Sequence, residues 1–198
     1  MALKQTPSQT IGPFFSFGLT SEQYGHPLKQ IAGSDLLAAG SDVDGERIRL
    51  IGRVLDGAGA PMSDAMVEIW QADGQGRYAH PADERGSNST FVGFGRCGTG
   101  TDPEHRFTFD SIKPASVATG EAPHLNVCVF ARGLLNHVFT RVYFSDDAAV
   151  HDDDPVLAQV PIDRRQTLIA KRTQGSGPVV YQFDIHMQGD QETVFFDV

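Results

Sequence analysis

The feature that most constrains this chain is an alternation of residue types that begins at residue 47. Within 47–54 the even-numbered residues are apolar or glycine, whereas the odd-numbered ones are three arginines and Ile51. A period of two is typical of a β-strand with one buried face. The Gly-rich stretch 56–61 predicts a turn, and 66–70 predicts the next strand. The first two strands are therefore expected to begin near residue 47 and to be joined by a short turn.

Further short segments have strand composition, and the chain carries 21 Gly and 11 Pro to separate them. The pattern predicts an all-β fold, a β-sandwich with a short helix or two. Residues 1–45 are expected to form an irregular N-terminal arm, and 46–198 the sandwich, in a single domain overall. The further predicted strands are 106–109, 126–130, 138–144, 179–185 and 193–198, with a short helix around 164–170.

Charge and composition exclude several classes of function. The net charge of −9 argues against nucleic acid or an anionic membrane as the main partner, because both repel an acidic surface. Cys97 and Cys128 are too few for a disulfide framework, and their spacing does not form a metal-binding pair. No stretch has the length of a membrane-spanning helix, and the N-terminus lacks the apolar core of a signal peptide. These observations favour a cytoplasmic protein.

Two linked motifs are more specific than the strand pattern. Residues 70–72 are Trp-Gln-Ala, and Gly-Arg-Tyr follows at 76–78. On these and on further pieces in the same order, the chain resembles the intradiol ring-cleavage dioxygenases, and it does so from the N-terminal arm to the C-terminus. The resemblance implies their type of β-sandwich. It also implies a non-haem Fe(III), a hard cation that suits phenolate oxygens and that catalytic members hold by two tyrosines and two histidines. The further pieces are 95–97, 112–114, 122–126, 140–144 and 181–185.

This chain matches only half of that ligand set. Tyr78 stands at the first tyrosine position, but Val117 stands at the second. His124 matches the first histidine, and Asn126 replaces the second. Substitution of a residue that only hydrogen-bonds to a metal ligand already costs about 10–100-fold in metal affinity or activity. Loss of one anionic ligand and one imidazole costs more. We therefore expect no tightly bound iron, no metal ligand and no catalytic residue on this chain.

Two neighbouring positions also depart from the catalytic pattern. Glu121 stands where catalytic members have Arg, and Arg141 stands where they have Gln. The chain instead resembles the non-iron-binding alpha subunits of two-subunit members of the family. It shares with them the opening 6–13, the run 130–133 and the ending 192–197. This resemblance implies a hetero-oligomer with a beta subunit that binds the Fe(III).

The same resemblance assigns a substrate-binding role to four residues. In the alpha subunits the N-terminal arm reaches into the beta subunit's pocket, so Thr10, Gly12 and Pro13 are expected to line the site for the substrate protocatechuate. Arg132 is expected to supply positive charge near the substrate carboxylate, because a guanidinium offers paired donors to two oxygens. The alternatives are a plain arm packed on its own domain and a surface arginine with its stem laid on the protein.

Ordinary structural roles also remain for the other motif residues. Tyr78 can be a tyrosine with a common hydrogen-bond partner, and His124 a satisfied histidine beside a strand. The run 152–154 is three aspartates, but it lacks the alternation and glycine of a calcium loop, so we expect a solvated acidic turn.

Two other functions compete with the subunit hypothesis. One is a divergent, self-sufficient intradiol dioxygenase that forms a homo-oligomer, and it requires stoichiometric ferric ion on this chain. The other is a non-catalytic, transthyretin-like β-sandwich that binds ligands, against which the arm and the run 130–133 argue. A neighbouring gene that encodes both tyrosines and the paired histidines would nearly exclude this second alternative.

Overall fold

The computed structural model describes residues 17–37, 43–86, 91–173 and 177–198. Thr10, Gly12 and Pro13 lie outside these described residues. Within the described ranges, nine strands carry the fold, with short α-helical segments and several 3-10 turns. The strands are β1 Arg47–Leu55, β2 Met66–Gln71, β3 Phe94–Gly98, β4 Arg106–Ile112, β5 His124–Phe130, β6 Val138–Phe144, β7 Ile169–Thr173, β8 Val179–Gln182 and β9 Ile185–His186; the helices are α1 Ala148–His151 and α2 Ile162–Arg165, and the 3-10 turns are Ser21–Tyr24, Ser145–Asp147, Leu157–Gln159 and Gln166–Leu168.

The strands pair in the order β3-β2-β5-β6-β7-β8-β1-β4, with β9 added beside part of β1. Most neighbours are antiparallel, but three pairs are parallel: β6 with β7, β1 with β8, and β1 with β9. The two halves of this order face each other around one core, in which Ile69 and Val127 of one half join Leu50 and Phe109 of the other. The predicted all-β sandwich with a short helix or two is confirmed.

The alternation in β1 appears in the structure as burial. Ile48, Leu50 and Val54 are buried, whereas Arg47 and Arg49 are exposed. Gly52 completes the buried row, because a side-chain carbon at this position would overlap the backbone carbonyl of Phe183. A glycine is therefore needed where two backbones approach this closely.

The described part of the predicted arm packs against the sandwich. Leu36 is buried in the core, and its backbone N–H donates to Asp110 O at 2.9 Å. The N–H of Arg96 in β3 donates to Gly33 O at 2.9 Å. Gln23 accepts from the N–H of Gly98 at 2.7 Å through its side-chain oxygen. These bonds fasten residues 23–36 to the edge strand β3 and to β4.

Several predicted elements differ from the structure. The segment 193–198 is not a strand and forms a single bridge, Phe139 with Phe196. The helix expected at 164–170 begins at Ile162, continues as a 3-10 turn, and gives way to β7 at Ile169. The strand expected at 179–185 is two strands, because Asp184 turns its carboxylate to the backbone N–H of Arg53 at 2.9 Å. The apolar residues in these segments therefore indicate burial and do not show that the segment pairs with a neighbouring strand.

None of the helices in the described part of the chain is both long and apolar enough to span a membrane.

Candidate functional site

Strand register gathers the motif residues on the outer face of the half built from β2, β5 and β6. Trp70 pairs with Asn126, and Asn126 pairs with Arg141, so these three lie in one row across the strands. In the adjacent row His124 pairs with Tyr143. The core-facing residues of β5 are Leu125, Val127 and Val129, which leaves His124 and Asn126 on the other face by the period of two.

A tight turn after β2 returns Tyr78 to this row. The buried Asp73 organises the turn, because its Oδ1 accepts from the backbone N–H of Gln75 and of Arg77, both at 2.9 Å. Arg77 adds an ion pair to the same carboxylate at 3.3 Å. The indole of Trp70 then stacks on the Tyr78 ring, with centroids 5.5 Å apart and planes 14° from parallel. The Trp-Gln-Ala and Gly-Arg-Tyr motifs therefore encode one turn.

The Tyr78 hydroxyl has an ordinary hydrogen-bond partner. Asn126 Nδ2 donates to it at 3.1 Å and also lies 3.4 Å from Trp70 O. Burial raises the pKa of Tyr78, although the bond from Asn126 and the charge of Arg141 offset part of this effect. Tyr78 is therefore a neutral phenol at pH 7, and its hydroxyl has the hydrogen-bond partner that a structural role requires.

His124 is buried, and its Nδ1 lies 2.9 Å from Ala122 O. Burial and the neighbouring Arg141 lower the pKa of His124, so the ring is neutral at pH 7. Its ring packs against Tyr143, with centroids 5.8 Å apart. The prediction of a satisfied histidine beside a strand is confirmed.

The expectation of a solvated acidic turn at 152–154 is wrong for Asp154. Its side chain is fully buried, and its Oδ2 accepts from the N–H of Ala122 at 2.9 Å. Its Oδ1 accepts from the N–H groups of Val156 and Leu157, both at 2.9 Å, and from the Tyr143 hydroxyl at 3.2 Å. Burial opposes ionisation, yet these bonds prevail and lower the pKa of Asp154.

Sequence reasoning missed Asp154 although a local signal was present. An aspartate directly before Pro155 is a common start for a helical turn, where the carboxylate accepts from the next free N–H groups. By fixing Ala122, Asp154 holds the loop that leads into His124 and links it to Tyr143. Asp154 therefore stabilises the positions of His124 and Tyr143 through its hydrogen bonds to Ala122 and Tyr143.

Arg141 is half-buried beside Asn126, and its Nη1 donates to the Tyr143 hydroxyl at 3.4 Å. Through Tyr143 it is linked to the buried carboxylate of Asp154. Burial raises the pKa of Tyr143 to about 12 and Arg141 offsets part of that rise, so this hydroxyl stays protonated and can donate to Asp154. The row thus contains a positive charge where catalytic relatives are expected to carry a neutral amide.

These residues do not fit a ferric ion. The amide of Asn126 directs N–H donors at Tyr78, whereas a metal needs the phenol oxygen as an anionic ligand. Val117 has no donor atom, and the Arg141 guanidinium adds a charge that repels a cation. Among the described residues there is also no cluster of three or more His, Cys, Asp or Glu side chains that could hold a metal.

Arg132 lies in a different place from this row. It follows the end of β5, and the four steps from Asn126 to Phe130 alone span about 13 Å at the usual rise of a strand. Its side chain is 64% exposed, and its Nε contacts Asp64 Oδ2 at 2.9 Å. The structure therefore brings Tyr78, His124 and Asn126 together and leaves Arg132 at the opposite end of β5.

The comparisons with known proteins agree on the family. A family model described as "Dioxygenase" matches residues 19–189. The protocatechuate 3,4-dioxygenase alpha chain of Burkholderia cepacia is 53% identical over 99% of this chain and 98% of its own length. The alpha chain of Pseudomonas putida is 42% identical over 98% and 97%, and the beta chain of Burkholderia cepacia is 34% identical over 75% and 67%.

Solved structures agree on the fold. The dioxygenase domain of a carbohydrate-binding fusion protein from Streptomyces sp. SirexAA-E superposes with a TM-score of 0.60 at 20% identity, and covers 96% of this chain and 100% of that domain. Catechol 1,2-dioxygenase from Pseudomonas arvilla C-1 gives a TM-score of 0.57 at 22% identity, over 81% of this chain and 59% of that enzyme.

Proposed function

This chain belongs to the intradiol dioxygenase family, and we propose that it is the alpha, non-iron-binding subunit of a protocatechuate 3,4-dioxygenase. Two alpha chains of that name match it over nearly their whole length, at 53% and 42% identity. The beta chain of the same enzyme also matches, but at lower identity and over less of the sequence. The family assignment makes the chain part of an enzyme that opens catechol-type rings.

The observation that carries the proposal is the Asn126–Tyr78 hydrogen bond beside Arg141. This 3.1 Å bond joins two neutral groups of the chain, and it engages the hydroxyl of Tyr78, which stands at the first tyrosine position. Since the family depends on iron and these residues do not fit it, the iron belongs on a second kind of subunit. A beta subunit with the complete ligand set is the expected partner, in a hetero-oligomer.

In this proposal the complex adds both atoms of O2 to protocatechuate and opens the ring between its two hydroxyl-bearing carbons. The product is 3-carboxy-cis,cis-muconate, in bacterial breakdown of aromatic acids in the cytoplasm. The beta subunit supplies the Fe(III) and the redox chemistry. This chain supplies scaffold and part of the pocket wall, which holds the substrate in place across the interface.

Arg132 is the described residue assigned to the substrate. Its side chain is 64% exposed, so it can meet a surface of the partner, and Asp64 restrains it from one side. A carboxylate that binds at the remaining donors gains a charge-assisted bond from the guanidinium. Thr10, Gly12 and Pro13 are proposed to complete the wall from the N-terminal arm.

The test is to express this chain alone and together with the beta-type protein encoded beside it. We expect ferric iron and protocatechuate cleavage in the co-purified complex, at one iron per pair of chains. The isolated chain should have neither. An isolated chain that carries one ferric ion and cleaves catechols would overturn the proposal in favour of a self-sufficient enzyme.

A further inference from the structure

A cavity of about 550 Å³ lies beside β6, next to the Asn126–Tyr78 pair. Its walls are mainly apolar and are made by Phe139, Val156, Val160, Val194 and Phe196. Arg141 and Asn126 are among its polar lining residues. The volume lies within the range of small-molecule sites, which are mostly apolar with a few placed polar groups.

Arg141 is the unusual group in this cavity. The guanidinium has five N–H donors, but its hydrogen bond within the described residues is the one from Nη1 to Tyr143 at 3.4 Å. No carboxylate of the described residues lies within ion-pair distance of it. Its remaining donors therefore stay available on one side, while Tyr143 fixes the other.

Two other shielded arginines among the described residues are paired directly with a carboxylate. Arg96 lies 2.7 Å from Glu68, and Arg77 lies 3.3 Å from Asp73, with side chains that are 13% and 19% exposed. A partly buried guanidinium without an anion is costly, because it loses hydration without a compensating charge. Arg141 therefore has the environment of an arginine that receives its anion from a ligand.

We propose that this cavity binds a monocarboxylate with an apolar, ring-sized body, of which benzoate is the simplest example. The carboxylate would accept two N–H bonds from Arg141, and the ring would contact Phe139 and the valines. The exposed Asp197 lines the same cavity, so a second anionic group on the ligand would meet a like charge there. The site would be a second ligand site of the complex, without metal and without ring cleavage.

This inference rests on residues of this chain and does not depend on the identity of the partner. If the complex proved to have no iron, the proposed function would fail, whereas the cavity would still be expected to bind one benzoate per chain. The two proposals therefore fail by different measurements.

The test is equilibrium dialysis of the assembled complex against labelled benzoate, which counts bound molecules per pair of chains. The visible absorption of the ferric site reports occupancy of the partner's site separately. We expect two benzoates per pair in the wild type and one in Arg141→Gln, with the same absorption titration in both. The second site should weaken by roughly tenfold to a hundredfold when the charge-assisted bonds are lost.

Two variants control this count. Arg47→Gln removes the same charge at an exposed position of β1 and should keep both sites. Val156→Phe keeps the guanidinium but fills the cavity, so it should lose the second site as Arg141→Gln does; near-ultraviolet circular dichroism verifies the fold of each. A wild type that binds no benzoate beyond the molecules that the ferric absorption accounts for, or a benzoate of the cavity that stays bound in either cavity variant, would overturn the inference.

Discussion

The two ends of β5 differ in how their polar groups are satisfied. At the start of the strand, His124 and Asn126 bond to Ala122 O and to Tyr78 within the chain. After its end, the side chain of Arg132 is 64% exposed and is restrained by Asp64. Polar residues at the start of the strand are thus satisfied within the fold, whereas the charge after its end is accessible at the surface.

Asp154→Ala should have the largest effect, because it tests whether the start of β5 depends on buried support. Four donors would lose their acceptor in the interior, so we expect a loss of about 3 kcal/mol or more in the free energy of unfolding. Urea unfolding of the purified complex measures it. Asp152→Ala is the matched control: that side chain is 92% exposed and should change stability by less than about 0.5 kcal/mol. Equal effects in the two variants would contradict the account.

Arg132→Ala tests the other end of β5 through activity instead of stability. We expect kcat/KM for protocatechuate to fall by roughly 10–100-fold, the range for a charged hydrogen bond that is lost. Unfolding should stay within about 0.5 kcal/mol of the wild type, since the side chain is exposed. Catechol, which has no carboxylate, is the control substrate and should be cleaved at an unchanged rate. A parallel loss with catechol would mean that Arg132 does not bind the carboxylate.

Acid should weaken the start of β5 selectively. The pKa of Asp154 is lower in the folded chain than its ordinary value of 3.8, so the unfolded chain binds the proton first as the pH falls. Its stabilising contribution is fully present above pH 3.8 and is lost as the pH falls through the folded pKa. The stability difference between wild type and Asp154→Asn should therefore shrink from pH 7 to pH 3. A constant difference across this window would show that the charge of Asp154 is not what matters.

Asp64→Asn should have the smallest effect, since ion pairs with a solvent-exposed member such as Arg132 contribute about 0.2–1 kcal/mol. The substitution keeps the shape of the side chain but removes the charge that restrains Arg132. We expect KM for protocatechuate to rise by roughly 1.5- to 5-fold with kcat unchanged. The same steady-state assay on Asp64→Asn with Arg132→Ala should show no further loss beyond the single Arg132 variant. An additive loss would show that Asp64 and Arg132 act on the substrate independently.

The sequence predicted the sandwich, because alternation is a local property; the replaced ligand positions stay a prediction from motif spacing. It did not predict that Asp154 is buried, since three consecutive aspartates are usually solvated and its partners Ala122 and Tyr143 are distant in sequence. Two further differences were missed for a similar reason: the predicted strand 179–185 divides into Val179–Gln182 and Ile185–His186, and the predicted strand 193–198 forms a single bridge at Phe196. Pairing depends on which neighbour has an open edge, and local composition does not contain that information.

The most direct test of the account is the iron content of the complex that contains Tyr78→Phe in this chain. If Tyr78 is part of the scaffold, the variant should retain one ferric ion per pair of chains, with the absorption of the wild type. The matching tyrosine-to-phenylalanine change in the partner should abolish both. Loss of iron or a shifted ferric absorption in Tyr78→Phe would place a ligand on this chain and contradict the central claim.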